Sequence, residues 1–561
     1  MSNWQPQYAS LPAMDVRAPL RPSKKKVNVE IARSKDGLPV PVINGKFLHS
    51  RYDPASEARR WVKEKLAKKP GAQLAVVLGM GFAYHLEALK DALPKDAPIV
   101  VFEPVSEIVS AYANTVKKNI HGVRLWPSPS PQDVVDAVAE VVTPALINHV
   151  LIAGHPPSVE TDPGSYSTIL NCIHAAVDQI AMSLTTGWGF GFEWIENSVR
   201  NLHRLPDLPF LNQIAPALKK SPPAAMVIGA GPSLDTAWET MRQARALTLA
   251  VDTALEPMEE HGLSPHLAFL FDSQIENAKL VEKVDAGRIN LVTSLEVHPS
   301  VFERRWRNLI LCSCDAGVLS WLERRANFSA GSLKQGGSVV TAAFDLARQS
   351  GCSPIYFSGV DLSFSEKQIY CRGVAYERQA SESQTRFNSV EDTLYKMRYA
   401  RTERTELGRP TQDNLYNYYR WLKDEIGRTS QEVVLLTPAG LLSEFLPADG
   451  AARLAAERFP PGFDERLFRE RLPPNGFVTY DFLRAAQKEM RRLMDSFLAP
   501  DHFSDADRIE RALAESGLSD VLDTVVLPAI AVCRYERDKG STRAALLQEL
   551  RDRLAAVAKL L

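Results

Sequence analysis

With 561 residues the chain is too long for one hydrophobic core, so several domains are expected. Hydrophobic residues make up 45% and charged residues 24%, with a net charge of −1, which excludes a disordered chain and a global field that would gather nucleic acid. No apolar run reaches the ~20 residues of a membrane span, the opening MSNWQPQYAS lacks a secretory pattern, and six cysteines do not form a disulfide framework, so a cytoplasmic protein is expected.

Residues 1–30 are polar and proline-rich, with a lysine run at 24–26, and read as a flexible arm. Residues 31–215 read as a Rossmann-like N-terminal domain with a helical linker. In it the apolar run 74–78 meets Gly79 and Gly81, a helical stretch follows over 83–93, and the run 99–102 ends in Glu103. A glycine turn followed by an acid at the next strand end is the nucleotide-binding arrangement. GMGFAYH also resembles the first motif of a methyltransferase, with an incomplete glycine pattern. A structural domain, a nucleotide site and a methyltransferase are the three readings. The run 149–154 gives another strand, ended by His155. Residues 165–205 read as helical and carry Trp188, Phe190, Phe192 and Trp194 between glycines, an aromatic cluster suited to packing.

The central domain, 216–445, begins after a proline-rich approach and is organised around AAMVIGAGPSLD at 224–235. An apolar run at 225–228 meets Gly229, Gly231, Pro232 and Ser233, which reads as strand, tight turn and helix start. Further apolar runs end in Asp252, after 247–251, and Asp272, after 267–271; others lie at 291–293, 309–313 and 355–359, the last followed by Asp361. Polar groups at the carboxyl ends of strands mark the ligand edge of an open α/β sheet. Gly336, Gly337 and Ser338 precede a second helical stretch, 339–347, and form a second candidate anion site. Cys312 and Cys314 fall on alternate residues of a predicted strand and read as buried thiols. Residues 362–430, rich in Arg and Tyr, are a lid candidate, with Lys396, Arg398, Arg401, Arg404, Tyr416, Tyr418 and Tyr419. Residues 446–561 read as a C-terminal helical domain, with Phe482, Ala486, Met490, Leu493 and Phe497, and then Ala545, Leu546, Leu550, Leu554 and Leu561, at helical spacing.

The motifs GAGPSLD at 229–235, VDTAL at 251–255, GGSVVTAAFDLA at 336–347 and IYFSGVDLSF at 355–364, with FLHSRYDPASEARRW at 47–61, resemble those of the Maf (motility-associated factor) flagellin glycosyltransferases over most of residues 40–445. The central core is also similar to bacterial lipooligosaccharide sialyltransferases. The resemblance implies a Rossmann-like N-terminal domain and a sialyltransferase-like α/β domain. It also implies transfer of a nonulosonic acid, of pseudaminic or legionaminic type, from a CMP-activated donor to Ser/Thr hydroxyls of flagellin. No nucleic acid and no membrane span enter this picture.

The chemistry breaks a bond from the anomeric carbon to phosphate, leaving a phosphate dianion and an oxocarbenium-like centre. Main-chain amides of Gly229, Gly231 and Ser233, beside Pro232, and of Gly336, Gly337 and Ser338, are expected at the phosphate. Asp252 and Asp272 stand where the sialyltransferases carry Asn. A carboxylate beside phosphate needs ribose hydroxyls, a proton or a shared cation. Ribose contact is expected for Asp252, and an Mg²⁺ ion or an acceptor hydroxyl for Asp272. The sialyltransferase histidine has no counterpart, since no histidine lies between His298 and His502. Asp361 and Asp272 are therefore the expected catalytic carboxylates, with His298 or a lid tyrosine as further options for proton transfer; for Asp361, holding substrate or bracing the turn is the alternative reading. Two other classes stay open: an archaeal-type hydroxymethylpterin diphosphokinase using ATP and Mg²⁺, and a non-catalytic flagellin-binding assembly factor.

Overall fold

The computed structural model describes residues 27–561 except 117–121, 144–145, 315–316, 366–367, 387–388, 393–402, 407 and 536–539. The arm up to residue 26, with its lysines, and Lys396, Arg398 and Arg401 lie outside the described residues, as does the side chain of Arg404. By contacts the chain forms two compact units. One holds residues up to Gly189 with Pro500–Ala512 and Thr524–Arg551; the other holds Phe190–Ala499, Leu513–Asp523 and Asp552–Leu561. The C-terminal helices are thus shared out between the two units, where the sequence suggested a separate block from 446.

In the first unit, β1 (Val29–Arg33), β2 (Pro39–Ile43) and β3 (Lys46–Phe47) form a small antiparallel sheet. The main sheet is parallel, from β4 (Leu74–Leu78), β5 (Ile99–Glu103), β6 (Val123–Pro127) and β7 (Val150–Gly154), in the order β6-β5-β4-β7. Strands β4 and β5 are unbroken apolar runs because helices cover both sheet faces. Alternation sorts their side chains. Leu74, Val76 and Leu78 pack with Val134, Val138, Ile169 and Ile173. Ala75 and Val77 pack with Val62, Leu86 and Leu89 on the other face.

Glu103 ends β5 fully buried. Its carboxyl accepts the amides of Met80 (2.9 Å) and Val105 (3.1 Å) and the Tyr166 hydroxyl (2.7 Å). The Gly79 amide goes to Phe102 O at 2.9 Å, and the Phe82 amide to His49 Nε2 at 2.8 Å. The acid that would hold a ribose is therefore sealed inside, fastening the glycine turn that would hold its phosphates. Of the three readings for this unit, the geometry matches the structural one.

In the second unit a seven-stranded parallel sheet is built from β8 (Ala225–Ile228), β9 (Leu247–Val251), β10 (Leu267–Phe269), β11 (Asn290–Thr293), β12 (Asn308–Leu311), β13 (Ile355–Ser358) and, after a hairpin of β14 (Glu403–Glu406) and β15 (Arg409–Gln412), β16 (Val433–Leu435). The order is β12-β11-β10-β9-β8-β13-β16, so the winding reverses between β8 and β13. That reversal opens a crevice at the carboxyl edge. Helix Val339–Gln349 packs on β8, β9 and β10 and leads back into β13, so its N-terminus lies at that same edge.

Several boundaries differ from the sequence reading. Strand β10 ends at Phe269, and β12 ends at Leu311, which leaves Cys312 and Cys314 beyond it. Cys312 is buried and Cys314 partly so, both as free thiols. The glycines among the aromatics at 187–191 do not interrupt helix Pro163–Asn201. In helix Tyr480–Phe497 the buried stripe is Leu483, Ala486, Met490, Met494 and Phe497, one position on from the expected Phe482 and Leu493 at two places.

Burial pushes the Glu103 carboxyl up to about 7, against opposing hydrogen bonds from Met80, Tyr166 and Val105. The folded state therefore holds this proton more tightly than the unfolded chain. Its stabilisation is full below the ordinary carboxyl range and is lost as pH rises through about 7. Urea melts of Glu103→Gln should show a flatter pH dependence between pH 5 and 8 than the parent, with a slope reduced by up to ~1.4 kcal/mol per pH unit.

Candidate active site at the carboxyl edge of the central sheet

The turn after β8 is locked to the end of β13. Gly229 N–H donates to Ser358 O (2.9 Å) and Gly231 N–H to Gly359 O (2.7 Å), and Ser233 N–H donates to Asp361 Oδ2 (2.8 Å). Gly359 adopts φ +65°, and any side chain on it would strike the backbone of Gly229; a side chain on Gly231 would strike the Asp361 carboxylate. Both glycines exist to let two strand ends close on each other. Asp361 is buried, and burial raises its pKa, against hydrogen bonds from Ser233.

This revises one expectation. The amides of Gly229, Gly231 and Ser233 are consumed within the protein, and Pro232 has none, so these amides do not cradle a phosphate in this arrangement. Asp361 Oδ2 braces the β8 turn, one of the roles the sequence left open for it beside that of a catalytic carboxylate. Asp235, from the same motif, ties the turn to the start of the lid, accepting Gln368 Nε2 at 2.9 Å and Arg372 N–H at 3.0 Å.

The second glycine segment leads into helix Val339–Gln349. Gly336 N–H donates to Thr341 Oγ1 (2.8 Å), and Ser338 caps helix Val339–Gln349 with its backbone only. The first-turn amides of a helix lack intrahelical acceptors. Here they lie at the sheet's carboxyl edge. Gly337, at φ +89°, is covered by Tyr418, and Gly336 by Trp421, both from helix Asp413–Arg428.

Asp252 follows β9 directly, is buried, and accepts both the amide (2.7 Å) and hydroxyl (3.0 Å) of Thr253. Burial and the nearby charge of Asp272 push it up to about 6, against the Thr253 hydrogen bonds. Asp272 is exposed and accepts Gln274 N–H at 3.1 Å. Burial, then Asp272 and Glu276, raise Glu193. Two tyrosines missed from the sequence face this acidic patch. Tyr370 and Tyr376 stack at 5.3 Å, and burial, Tyr370, Asp252 and Asp272 together push the Tyr376 phenol above its ordinary range. Helix Ala375–Glu382, which carries Tyr376, is pinned by Arg378 to Glu256 (2.8 Å) and by Lys283 to Glu382 (2.7 Å).

The loops after β10 and β11 are held by two buried asparagines on helix Pro163–Asn201. Asn197 Nδ2 donates to Ser273 O (3.1 Å) and Glu296 O (3.0 Å); Asn201 Nδ2 donates to Leu295 O and Val297 O, each at 2.9 Å. Sequence offered no signal for them, since the surrounding EWIENSVRN is itself rich in polar residues. Glu296, also missed, accepts from Cys314 Sγ at 3.7 Å, and burial raises its pKa. His298 caps helix Pro299–Glu303, accepting Ser300 N–H at 3.3 Å.

An open parallel sheet with a pinched glycine turn at its switch point and a helix N-terminus beside it defines a ligand-binding α/β unit of the doubly wound class. The particular fold is that of the Maf glycosyltransferase from Magnetospirillum magneticum AMB-1. That solved structure aligns with TM-score 0.54 and 16% identity over 96% of this chain and 91% of its own. The fold expected from the motifs at 229–235, 251–255, 336–347 and 355–364 is thus the fold observed. Residues 196–367 match the family described as 6-hydroxymethylpterin diphosphokinase MptE-like. An uncharacterized protein of Treponema pallidum (strain Nichols) is 28% identical over 145 residues, 24% of this chain. The chain spans only 37% of that relative's length. Among the described residues no helix is long and apolar enough to cross a membrane.

The brace makes a sharp contrast. Asp361→Asn keeps an acceptor for Ser233 N–H and should cost under about 1 kcal/mol, whereas Asp361→Ala leaves that amide unpaired and should cost about 1–3 kcal/mol in urea melts. Asn201→Ala strips two buried carbonyls of their donor, and a loss of about 2–3 kcal/mol is expected by the same measurement.

Proposed function

We propose that this chain transfers a nonulosonic acid, of pseudaminic or legionaminic type, from a CMP-activated donor to Ser/Thr hydroxyls of flagellin, in the cytoplasm. The observation that carries the reading is the whole-chain likeness to the Maf glycosyltransferase fold, joined to one sheet edge where Asp252, Asp272, two tyrosines and a helix N-terminus meet.

The donor phosphate sits at the N-terminus of helix Val339–Gln349, against Gly336, Gly337 and Ser338, with the Gly336 amide held by Thr341 Oγ1 and none of the three spent on holding another strand. Asp252 accepts from ribose hydroxyls. Tyr376, kept protonated, donates a hydrogen bond to the phosphate as its bond to the anomeric carbon breaks. The departing group takes the electron pair, and the acceptor hydroxyl adds to the oxocarbenium-like carbon. Asp272, exposed and lightly bonded, takes the hydroxyl's proton. An SN1-like departure needs little base strength, so a solvent-exposed carboxylate suffices where the sialyltransferases use histidine. An Mg²⁺ ion shared between Asp272 and the phosphate is part of the proposal only if turnover falls in excess chelator.

A second reading has its own support. The match over residues 196–367 names a diphosphokinase, which would move diphosphate from ATP with Mg²⁺. A CMP titration separates the two. At 100 times its dissociation constant a ligand adds ~2.7 kcal/mol to folded-state stability. CMP should raise Tm by several degrees and ATP with Mg²⁺ should not; the opposite result favours the kinase. Intact mass of flagellin co-expressed with this chain and donor-making enzymes should increase by whole nonulosonic acid units, and Asp272→Ala should abolish most of that increase. No added mass, with flagellin still bound, would leave an assembly factor.

The ribose contact predicts a pH dependence. Asp252 accepts more strongly when ionised, so CMP affinity should fall as pH drops through about 6. Titration calorimetry of Asp252→Asn should show weaker binding with that dependence removed.

A further inference from the structure

Three histidines of the first unit meet where the winding of its sheet reverses, and the transfer chemistry uses none of them. His49 follows β3, His85 sits in helix Tyr84–Ala92, and His155 directly follows β7. Their exposures are 4%, 1% and 4%. One ring nitrogen from each lies within 4.8 Å of the others. We infer that His49, His85 and His155 together bind one borderline divalent transition-metal ion, Zn²⁺ or a metal of like preference, as a structural staple of this unit.

The outer partners carry the argument. Metal-ligating histidines commonly give their second ring N–H to a carbonyl, hydroxyl or carboxylate, which fixes the free lone pair. Two of these three, His85 and His155, have such a partner within hydrogen-bond distance. His85 Nε2 donates to Gly79 O at 2.9 Å, leaving Nδ1 buried without a partner among the described residues. His155 Nδ1 lies 2.8 Å from Ser158 Oγ, leaving Nε2 over. His49 differs: its Nδ1 faces Glu57 Oε2 at 4.0 Å, too far for a hydrogen bond, and its Nε2 already accepts the Phe82 amide. Gly81 clears the space between them: a side chain there would strike His49 Nε2 and come within 3.5 Å of His155 Cε1. Trp61 Nε1, a second buried group without a partner, packs edge-on to His85 at 5.2 Å and offers a donor for a water in the fourth position.

Binding demands a definite rearrangement. Tetrahedral Zn²⁺ with bonds of ~2.0–2.1 Å needs ligand nitrogens about 3.3 Å apart. His85 and His155 now stack at 4.2 Å with planes 4° apart, so their lone pairs run parallel, and the His155 ring must turn to converge. His49 Nε2 must release the Phe82 amide it accepts at 2.8 Å. The ion would then join the 47–61 segment, the glycine turn and the end of β7.

The test uses the full chain, stripped with EDTA and dialysed against Zn²⁺ or Co²⁺. We expect one metal per chain by mass spectrometry, a higher Tm with metal, and at least a tenfold weaker affinity in His155→Phe, whose ring can keep the stack but cannot ligate. His203→Ala, an exposed histidine elsewhere, should bind as the parent does. Failure of the parent to retain metal from micromolar solution, or parent-like binding by His155→Phe, overturns the site and leaves the histidines as a packed plug. If His155→Phe does not fold, X-ray absorption on the metal-loaded parent decides. Two or more imidazoles around the ion support the site, and fewer overturn it.

Discussion

The hydrogen bond from Ser233 N–H to the Asp361 carboxylate, at 2.8 Å, fixes the geometry of the central site. It closes the crevice floor between β8 and β13, where the sheet reverses direction. Around it, Gly231 N–H reaches Gly359 O, and Asp235 draws in the start of the lid. The closure needs glycine at 231 and 359 because backbone and carboxylate occupy the space a Cβ would take. A charged ligand is not required to satisfy this turn. The neighbouring strand supplies the acceptor oxygens that a phosphate would otherwise provide.

The first unit solves the same problem in the same way. Its glycine turn after β4 donates through Met80 N–H to Glu103, at the end of the adjacent strand β5. The motif at 47–61 serves that turn. Asp53 caps helix Pro54–Lys68 through Ser56 N–H, Glu57 holds Ser50 N–H, and His49 takes the Phe82 amide. A segment that looks like a functional signature in sequence is a set of clamps in space. Glycine turn plus strand-end acid is therefore ambiguous in sequence. It describes a nucleotide grip and an internal brace equally well, and the deciding quantity is whether the acid is buried against the turn's own amides.

Strand positions were legible because double-sided burial in a parallel sheet leaves continuous apolar runs, as at 74–78, 225–228 and 247–251. Asp252 and Asp272 were legible because strand ends in such sheets project toward one edge. What stayed hidden depends on long-range pairing. Asn197 and Asn201 donate to carbonyls some 76 to 99 residues away, which no local pattern encodes. Tyr370 and Tyr376 reach the acids only once the segment carrying them folds back over the sheet. The one-position slip in helix Tyr480–Phe497 has a simpler cause: Phe482 and Leu493 are as apolar as Leu483 and Met494, and packing chooses between neighbours that hydropathy does not.

The two acids at the site divide by environment, and that division gives the site its chemical direction. Asp252 is buried and slow to lose its proton; Asp272, in the next loop, is exposed. The charge of Asp272 raises the cost of ionising Asp252. A ligand that neutralises Asp272 therefore eases ionisation of Asp252. In the proposed reading, a donor seated on Asp252 through ribose hydroxyls contributes no positive charge and leaves the solvent-facing side of Asp272 to the acceptor. A cation would change this by holding both carboxylates ionised at once, and would also draw the phosphate toward β10 and away from the helix N-terminus. The metal dependence of turnover and the location of the phosphate are for this reason one physical question. The neutral amides of helix Val339–Gln349 and the charge of an ion are alternative ways of meeting the same dianion.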